Sequence, residues 1–265
     1  MATFDINNFV IDHVLRGIMT STADGSYMWS INQITDPSLN VTSETAEAVD
    51  ALGSKIAVFN RGKAAEFTAS NSLFDLSLYA AQNGVEKEVA DKDNTITAPA
   101  FETYEHDGKA TTYITKHVPN KDIETIYLLN GDGTLGTAFV SGASASATKF
   151  VYDKDSHTIT LPTGLANDAQ IFMMYDYEAE AAVAVTGDAI NFPKAGKFVL
   201  EVLGTDTCDP TTLIHAFIEF PNAKLDANVD MSFTTDGNHP FTIQCQQNYC
   251  DPKKTLFRIV IPKEV

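Results

Sequence analysis

Through most of this chain apolar and polar residues alternate with a period of two, in short runs interrupted by clusters of Gly, Pro, Asn and Asp. An extended backbone turns successive side chains to opposite faces, so such a run can bury one face and wet the other, as a half-buried antiparallel strand does. The runs are Tyr27 to Ile34, Leu39 to Ala48, Ile56 to Phe59, Ala64 to Ala69, Thr111 to Thr115, Glu124 to Leu129, Lys149 to Tyr152, Thr158 to Leu161, Ala169 to Tyr177, Phe198 to Leu203, Leu213 to Phe220, Asn228 to Thr234, Pro240 to Gln246 and Thr255 to Ile261. Short strands at this spacing predict a mainly β fold, an antiparallel sandwich or barrel. Asp153 to Ser156 and Asp236-Gly237-Asn238 read as hairpin turns, and the small-residue stretch Ser141 to Thr148 as a flexible loop.

One segment breaks the period. Leu73, Leu76 and Ala80, with Phe74, Leu78 and Ala81, recur at helical spacing, Ser70-Asn71 offers an N-cap and Asn83-Gly84 a stop. A single helix is predicted at about 71–83, its broad apolar stripe laid flat on a sheet. Residues 86–109 are polar and weakly periodic, and residues 187–197 contain Gly187, Pro193 and Gly196. These two stretches bound a predicted β insertion at 110–187, leaving 1–109 and 188–265 to form the core domain.

The 265 residues are 44% hydrophobic, enough for one sizeable or two small cores. Acidic residues number 35 against 18 basic ones, a net charge of -17, and the only arginines are Arg16, Arg61 and Arg258. Such a surface repels phosphate, which argues against a conventional nucleic-acid binder. The excess is uneven: net -6 over residues 1–89, -9 over 90–190 and -2 over 191–265. The three cysteines, Cys208, Cys245 and Cys250, are an odd count in a chain large enough to do without disulfides, so reduced thiols are expected. The N-terminal stretch carries Asp5 and Asp12 and has no apolar core of a secretion signal, and no run approaches the ~20 apolar residues of a membrane span. A soluble protein made in the cytosol is the expectation.

The motifs that could carry chemistry have plainer explanations. Gly131 to Gly136 matches G-x-G-x-x-G, but Thr137 to Val140 continues as strand where a dinucleotide site needs a helix, so a hairpin turn is expected. Asp132, Asp153 and Asp155 lack the spacing of a calcium loop. Cys245 shares a predicted strand face with Phe241 and Ile243, and a buried thiol fits better than a zinc ligand beside His239 and Cys250. Ser144 lacks the second glycine of a nucleophile elbow, and the six histidines are scattered. The residues present no catalytic set, no cofactor site and no metal site, so no enzyme is predicted.

Two blocks of the chain resemble the tail tube (major tail) proteins of long-tailed bacteriophages. The first begins Ile11-Asp12-His13-Val14-Leu15-Arg16-Gly17, passes a hairpin around Trp29 and Val41 and a loop at 49–55, and leads through Lys63-Ala64-Ala65-Glu66-Phe67-Thr68 into the helix. The second is Phe198 to Val202, then Ala216 to Leu225 with its Pro221-Asn222-Ala223-Lys224-Leu225 step, then Phe241 to Gln244 and Leu256 to Pro262. The resemblance implies a structural virion protein of the phage tail, made in the host cytoplasm. Its copies would close into hexameric rings, the rings would stack into a hollow tube, and the tube would hold a tape measure protein, meet other tail proteins and pass DNA without binding it specifically. No membrane would be involved. An acidic lumen suits that role, because a wall that repels phosphate lets the polyanion slide.

Ring closure would use unpaired sheet edges. Stacking would use the loop from Glu44 to Lys55, with Glu44, Glu47, Val49, Asp50, Leu52 and Lys55 as candidate contacts between rings, and the N-terminal arm with Phe4 and Phe9. The alternatives are a capsid decoration or carbohydrate-binding β-sandwich, with Trp29, Tyr104 and Tyr113 as platforms, and the inner tube of a contractile injection system.

Overall fold

The computed structural model describes residues 6–235, 237–249 and 251–263. In chain order the elements are β1 (Phe9–Thr20), β2 (Tyr27–Ile31), β3 (Ile34–Val49), β4 (Lys55–Asn71), α1 (Leu76–Asn83), β5 (Glu88–Val89), β6 (Ile96–Glu105), β7 (Thr112–Ile114), β8 (Thr125–Leu129) and β9 (Leu135–Ser141). They continue as β10 (Lys149–Asp153), β11 (Thr158–Thr160), β12 (Gln170–Ala179), β13 (Val183–Ala184), β14 (Ala195–Asp206), β15 (Asp209–Leu225), β16 (His239–Cys245) and β17 (Arg258–Val260). The protein is mainly β, as the alternation predicts, with one helix among the described residues. That helix is short, and none is long and apolar enough to cross a membrane.

The chain divides into two compact units, residues 1–87 with 185–265, and residues 88–184. The first is built on an eight-stranded antiparallel sheet of order β2-β1-β14-β15-β16-β4-β3, with β17 also paired to β15, curled into a half-barrel. Alternation decides its inner face: along β14, Phe198, Leu200 and Val202 are buried while Lys197, Val199 and Glu201 between them are only half-buried. Their partners in the core include Met19, Trp29, Ile31, Phe67, Phe220, Phe241 and Ile243. Trp29 lies 5.4 Å from the Phe198 ring and is 2% exposed, so it is a core residue and no surface platform.

Helix α1 begins later than its apolar spacing suggests. Ser70 and Asn71 belong to the β4 ladder, where Asn71 faces Ile34 of β3 and His239 of β16, so neither is available as a cap. Asp75 caps instead, its carboxylate accepting the N–H groups of Ser77 (2.8 Å) and Leu78 (2.9 Å). Leu73 and Phe74 precede the helix and are exposed, while Leu78, Ala80 and Gln82 are its buried residues. Gly84 ends it in the left-handed region at φ 70°, and a Cβ there would lie 2.3 Å from the Phe192 carbonyl oxygen, so only glycine fits.

The second unit has a seven-stranded sheet of order β6-β12-β8-β9-β10-β11-β7, antiparallel except for β9 with β10, and a two-stranded pairing of β5 with β13. Its core gathers Ile126, Phe139, Phe150, Ile159, Ile171 and Met173. The two ends of the strand order are tied together: Tyr104 of β6 and Tyr113 of β7 have ring centroids 4.7 Å apart, and Tyr113 reaches the buried carboxylate of Glu102 on β6. Glu102 accepts from the Tyr113 hydroxyl (2.6 Å), the Tyr175 hydroxyl and the Lys116 N–H (2.9 Å). Both phenols are pushed well above their usual range, by burial first and by this carboxylate second.

Three expectations are corrected. The segment 86–109 contains a ten-residue strand, β6, in place of aperiodic chain. Asn228 to Thr234 forms no strand despite its alternation. Ile56 to Phe59 and Ala64 to Ala69 are parts of one strand, β4, carried past Gly62 by a bulge between the pairs Ser43/Lys63 and Glu44/Arg61. Of the expected turns, Asp153 to Ser156 links β10 to β11 with the Asp153 carboxylate accepting from the Asp155 N–H, whereas Asp236 lies outside the described residues, as does Cys250.

Candidate assembly surface

Strands β3 and β4 are 16 and 17 residues long, yet β4 is held by β16 only along Ala65 to Asn71. Beyond that point β3 and β4 pair with each other alone. Residues 55–64 and their partners therefore leave the sheet as a two-stranded ribbon, on the order of 30 Å long at the ordinary strand rise. Its tip is a tight turn: the Asp50 carboxylate accepts the N–H groups of Leu52 (2.9 Å) and Ser54 (2.8 Å), and the Asp50 N–H returns to the Ser54 carbonyl (2.9 Å).

Directly opposed residues share a face, so the register sorts the ribbon's side chains. One face presents Ala46 opposite Phe59, Ala48 opposite Ala57 and Glu44 opposite Arg61; the other presents Glu47 opposite Val58, with Val49 opposite Lys55. Lys55 forms an ion pair with Glu47 on that second face. Both faces are wet. Leu52 at the tip is 92% exposed and Phe59 is 57% exposed, and Val49, Ile56 and Val58 are exposed as well. An isolated hairpin is at best marginally stable in water, and clustered exposed apolar side chains are a common feature of interaction surfaces.

The candidate residues from the sequence thus fall into three groups. Glu44, Glu47, Val49, Asp50, Leu52 and Lys55 come together on this ribbon. Phe9 stands apart as the first residue of β1, opposite Asp206, its ring closing over Gly204 and partly buried against the core. Phe4 lies outside the described residues. What the sequence did not show is the second strand of the ribbon, Ile56, Val58 and Phe59, which only the unbroken course of β4 brings to the same surface.

Other edges of this sheet are also open among the described residues. β2 and β3 end the strand order, and β15 has no second partner along Asp209 to Ala216. The face of β1, β14 and β15 away from the core carries paired charges. Glu201 takes Arg16 and His215 (2.8 Å to Nδ1), and Glu219 takes Lys197 (3.3 Å) and Arg258 (3.9 Å). The Arg16 hydrogen bond, with help from His215, holds the Glu201 carboxyl below its usual range.

Among the described residues the sequence motifs take structural places. Gly131 to Gly136 is the β8–β9 hairpin turn, closed by the Asp132 carboxylate accepting from the Thr134 N–H (3.0 Å). Cys245 is half-buried and its thiol is pushed up to about 11 by burial and by Glu66. His239 is buried, which lowers its pKa, with its Nδ1 accepting the Asp75 N–H (3.3 Å) and its Nε2 placed 2.7 Å from the Gln82 Oε1. Among the described residues no three His, Cys, Asp or Glu side chains group as a metal site.

The described residues thus place an open-edged antiparallel sheet and a long, exposed two-stranded ribbon in the first unit. Residues 9–255 match the YomU/Tube protein family. The chain belongs to that family, a phage tail tube protein family. The resemblance read from two sequence blocks is therefore correct at the level of the family, and the match runs through the β6–β12 unit as well as the large sheet. No match is found among curated proteins. As a YomU/Tube protein the chain is a structural protein of a phage tail tube family.

Proposed function

We infer that this protein is the repeating subunit of the tail tube: copies close into hexameric rings and the rings stack into a hollow, acidic conduit for the tape measure protein and DNA. Support comes first from the ribbon, whose exposed Leu52, Ile56, Val58 and Phe59 would be buried against a neighbouring ring. Sheet edges at β2, β3 and β15 would extend into neighbours within a ring, where a shared ladder satisfies their backbone groups. Glu44, Glu47, Val49, Asp50 and Lys55 would set the register of stacking around the Leu52 tip, with Phe9 and the N-terminal arm as a second contact. The role asks for no catalysis and no cofactor. Other tail proteins would cap the ends of the tube in the virion, and DNA would pass without specific binding, repelled by a subunit of net charge -17.

Negative-stain electron microscopy of the concentrated protein, at low and high salt, tests this. Rings or hollow tubes, favoured by salt that screens the repulsion, are expected. Compact monomers at every salt, also after addition of preformed tail tips as seeds, would overturn the reading.

A further inference from the structure

The first unit carries, besides the ribbon, a surface that fits its tip. Between the β1–β2 turn, α1 and the start of β14 lies a cleft of about 680 Å³ with an apolar lining of Met28, Ala80, Ala81 and Val85. Most polar groups around it are committed locally. The Ser21 hydroxyl accepts the Ala23 N–H (3.2 Å), the Ser26 hydroxyl donates to Asp24 (2.8 Å) and the Tyr27 hydroxyl pairs with that of Ser30 (3.1 Å). The Gly84 and Val85 N–H groups go to the Ala81 (3.2 Å) and Ala80 (3.0 Å) carbonyls. Such a wall keeps few directed groups for recognising a small polar ligand and suits an aliphatic side chain.

The charges at the cleft are Lys87, Lys194 and Glu86, all exposed, and no ion pair among the described residues engages either lysine. Two bases against one acid reverse the balance of a chain with 18 basic and 35 acidic residues. The cleft of the second unit beside Tyr127 and Met174 keeps the ordinary balance, with Lys121 against Asp122, Glu124 and Asp176. An apolar knob carried by an acidic segment is therefore attracted to the first cleft and repelled from the second. The ribbon tip is such a segment. Between Ala46 and Phe59 its charges are Glu47, Asp50 and Lys55, net negative, around the almost wholly exposed Leu52, while Arg61 and Lys63 lie at the root of the ribbon opposite Glu44 and Ser43.

Within one copy the tip and the cleft cannot meet. Ala195 of the cleft pairs with Lys224, Lys224 with Gln244 and Gln244 with Glu66, so the cleft rim is level with Glu66 in the sheet. Glu66 lies on the order of 35 Å along β4 from Lys55 at the ordinary strand rise, and the tip is farther still. Cleft and tip thus belong to opposite ends of the strands. A contact between opposite ends is heterologous: each copy offers one tip and accepts another, and the pattern repeats along an axis, as stacked rings require. We propose that the cleft receives the ribbon tip of a second copy, Leu52 entering against Met28, Ala80, Ala81 and Val85, with Glu47 and Asp50 beside Lys87 and Lys194. This rests on the tube reading and names the surface that the ribbon meets.

The test uses the full chain with p-benzoylphenylalanine in place of Leu52, irradiated at the salt at which copies associate, with cross-linked peptides identified by mass spectrometry. Mixing isotope-labelled and unlabelled protein separates links between copies from links within one. Links between copies to residues 21–29, 77–87 or 194–195 are expected. Their yield should fall about tenfold or more when Lys87→Glu and Lys194→Glu are combined, and persist when Lys87→Arg and Lys194→Arg are combined. Far-UV circular dichroism checks that these exposed substitutions leave the fold in place. Links to other residues, links only within one copy, or a yield indifferent to charge reversal overturn the inference, while rings or tubes in electron micrographs of the same samples leave the tube reading standing. Absence of any link between copies overturns it as well, and the tube reading falls with it only where those micrographs show monomers alone.

Discussion

The large sheet and the β6–β12 unit finish their strands differently. In the second unit β6 and β12 are ten residues each and pair along their whole length, and Glu102 ties the two ends of the sheet order together. In the first unit β3 and β4 run well past the seven-residue β16, and β15 keeps an unpaired flank. A strand that overruns its partners leaves backbone groups and side chains to be satisfied by something outside the chain, whereas a strand that ends with them does not. On the proposed function, the difference assigns assembly to the first unit. The second is smaller and more acidic for its size, and although its β12 runs past β8, which it meets only along Ile171 to Met173, β6 accompanies it to the end.

If each unit rests on its own core, the largest effects come from emptying one core at a time. Phe198→Ala is expected to destabilise the first unit by about 3–5 kcal/mol and Phe150→Ala the second by a similar ~3–5 kcal/mol. Native-state hydrogen exchange read by peptide would show protection lost in the mutated unit and kept in the other. Loss in both from either substitution would break the comparison, since the two cores would then unfold as one. Next in size is the closure of the second unit. Glu102→Gln keeps the shape but replaces a carboxylate that accepts three hydrogen bonds with a neutral amide, and a loss of about 1–3 kcal/mol confined to residues 88–184 is expected. An unchanged urea midpoint would show that Glu102 does not close the sheet.

Smaller again is the seating of α1. Asp75→Ala removes a cap worth ~1 kcal/mol. His239 adds a pH dependence whose sign follows from its burial. Desolvation lowers its folded pKa below 6.5, with Asp75 opposing, so the unfolded chain binds the proton more readily. Its contribution is complete above about pH 6.5 and is lost as the pH falls from there through the folded value. Urea midpoints of the first unit measured between pH 7.5 and 5 are expected to fall, and His239→Gln to flatten that part of the profile. A wild-type profile that rises toward acid would reverse the assignment.

Where the sequence was legible, one face of a strand was apolar and its partner lay nearby. β14 and β16 alternate cleanly, and Asn83-Gly84 ends the helix as its residues suggest. β6 was hidden because its inward residues include Glu102, a charge made tolerable by tyrosines distant in sequence, while Phe101 faces outward and Pro99 interrupts the run. Asn228 to Thr234 shows the converse: Val229, Met231 and Phe233 alternate, but no strand lies beside them to make a ladder. The first strand and tip of the candidate surface, from Glu44 to Lys55, were visible as apolar residues interleaved with acids. Its second strand was not, since Gly62 breaks the pattern of β4 and only the register with β3 shows that Phe59 lies across from Ala46.

The smallest effect on stability should accompany the largest effect on assembly. Leu52 and Phe59 are exposed on a ribbon that no described residue covers, so Leu52→Asp and Phe59→Asp remove no buried contact within the subunit. Surface changes of this kind stay within about ±0.5 kcal/mol, and a urea midpoint close to that of the unaltered protein is expected for each. In a stacked tube the same side chains would be buried, and a carboxylate there would face desolvation beside the existing Glu44, Glu47 and Asp50. Sedimentation velocity at high salt should then show rings or monomers in place of long tubes, while Phe101→Asp in the second unit, equally exposed, leaves tube length unchanged. Tubes of normal length from Leu52→Asp and Phe59→Asp would remove the ribbon from the stacking contact. Shortened tubes from Phe101→Asp alone would move that contact to the second unit and reverse the division of labour between the two.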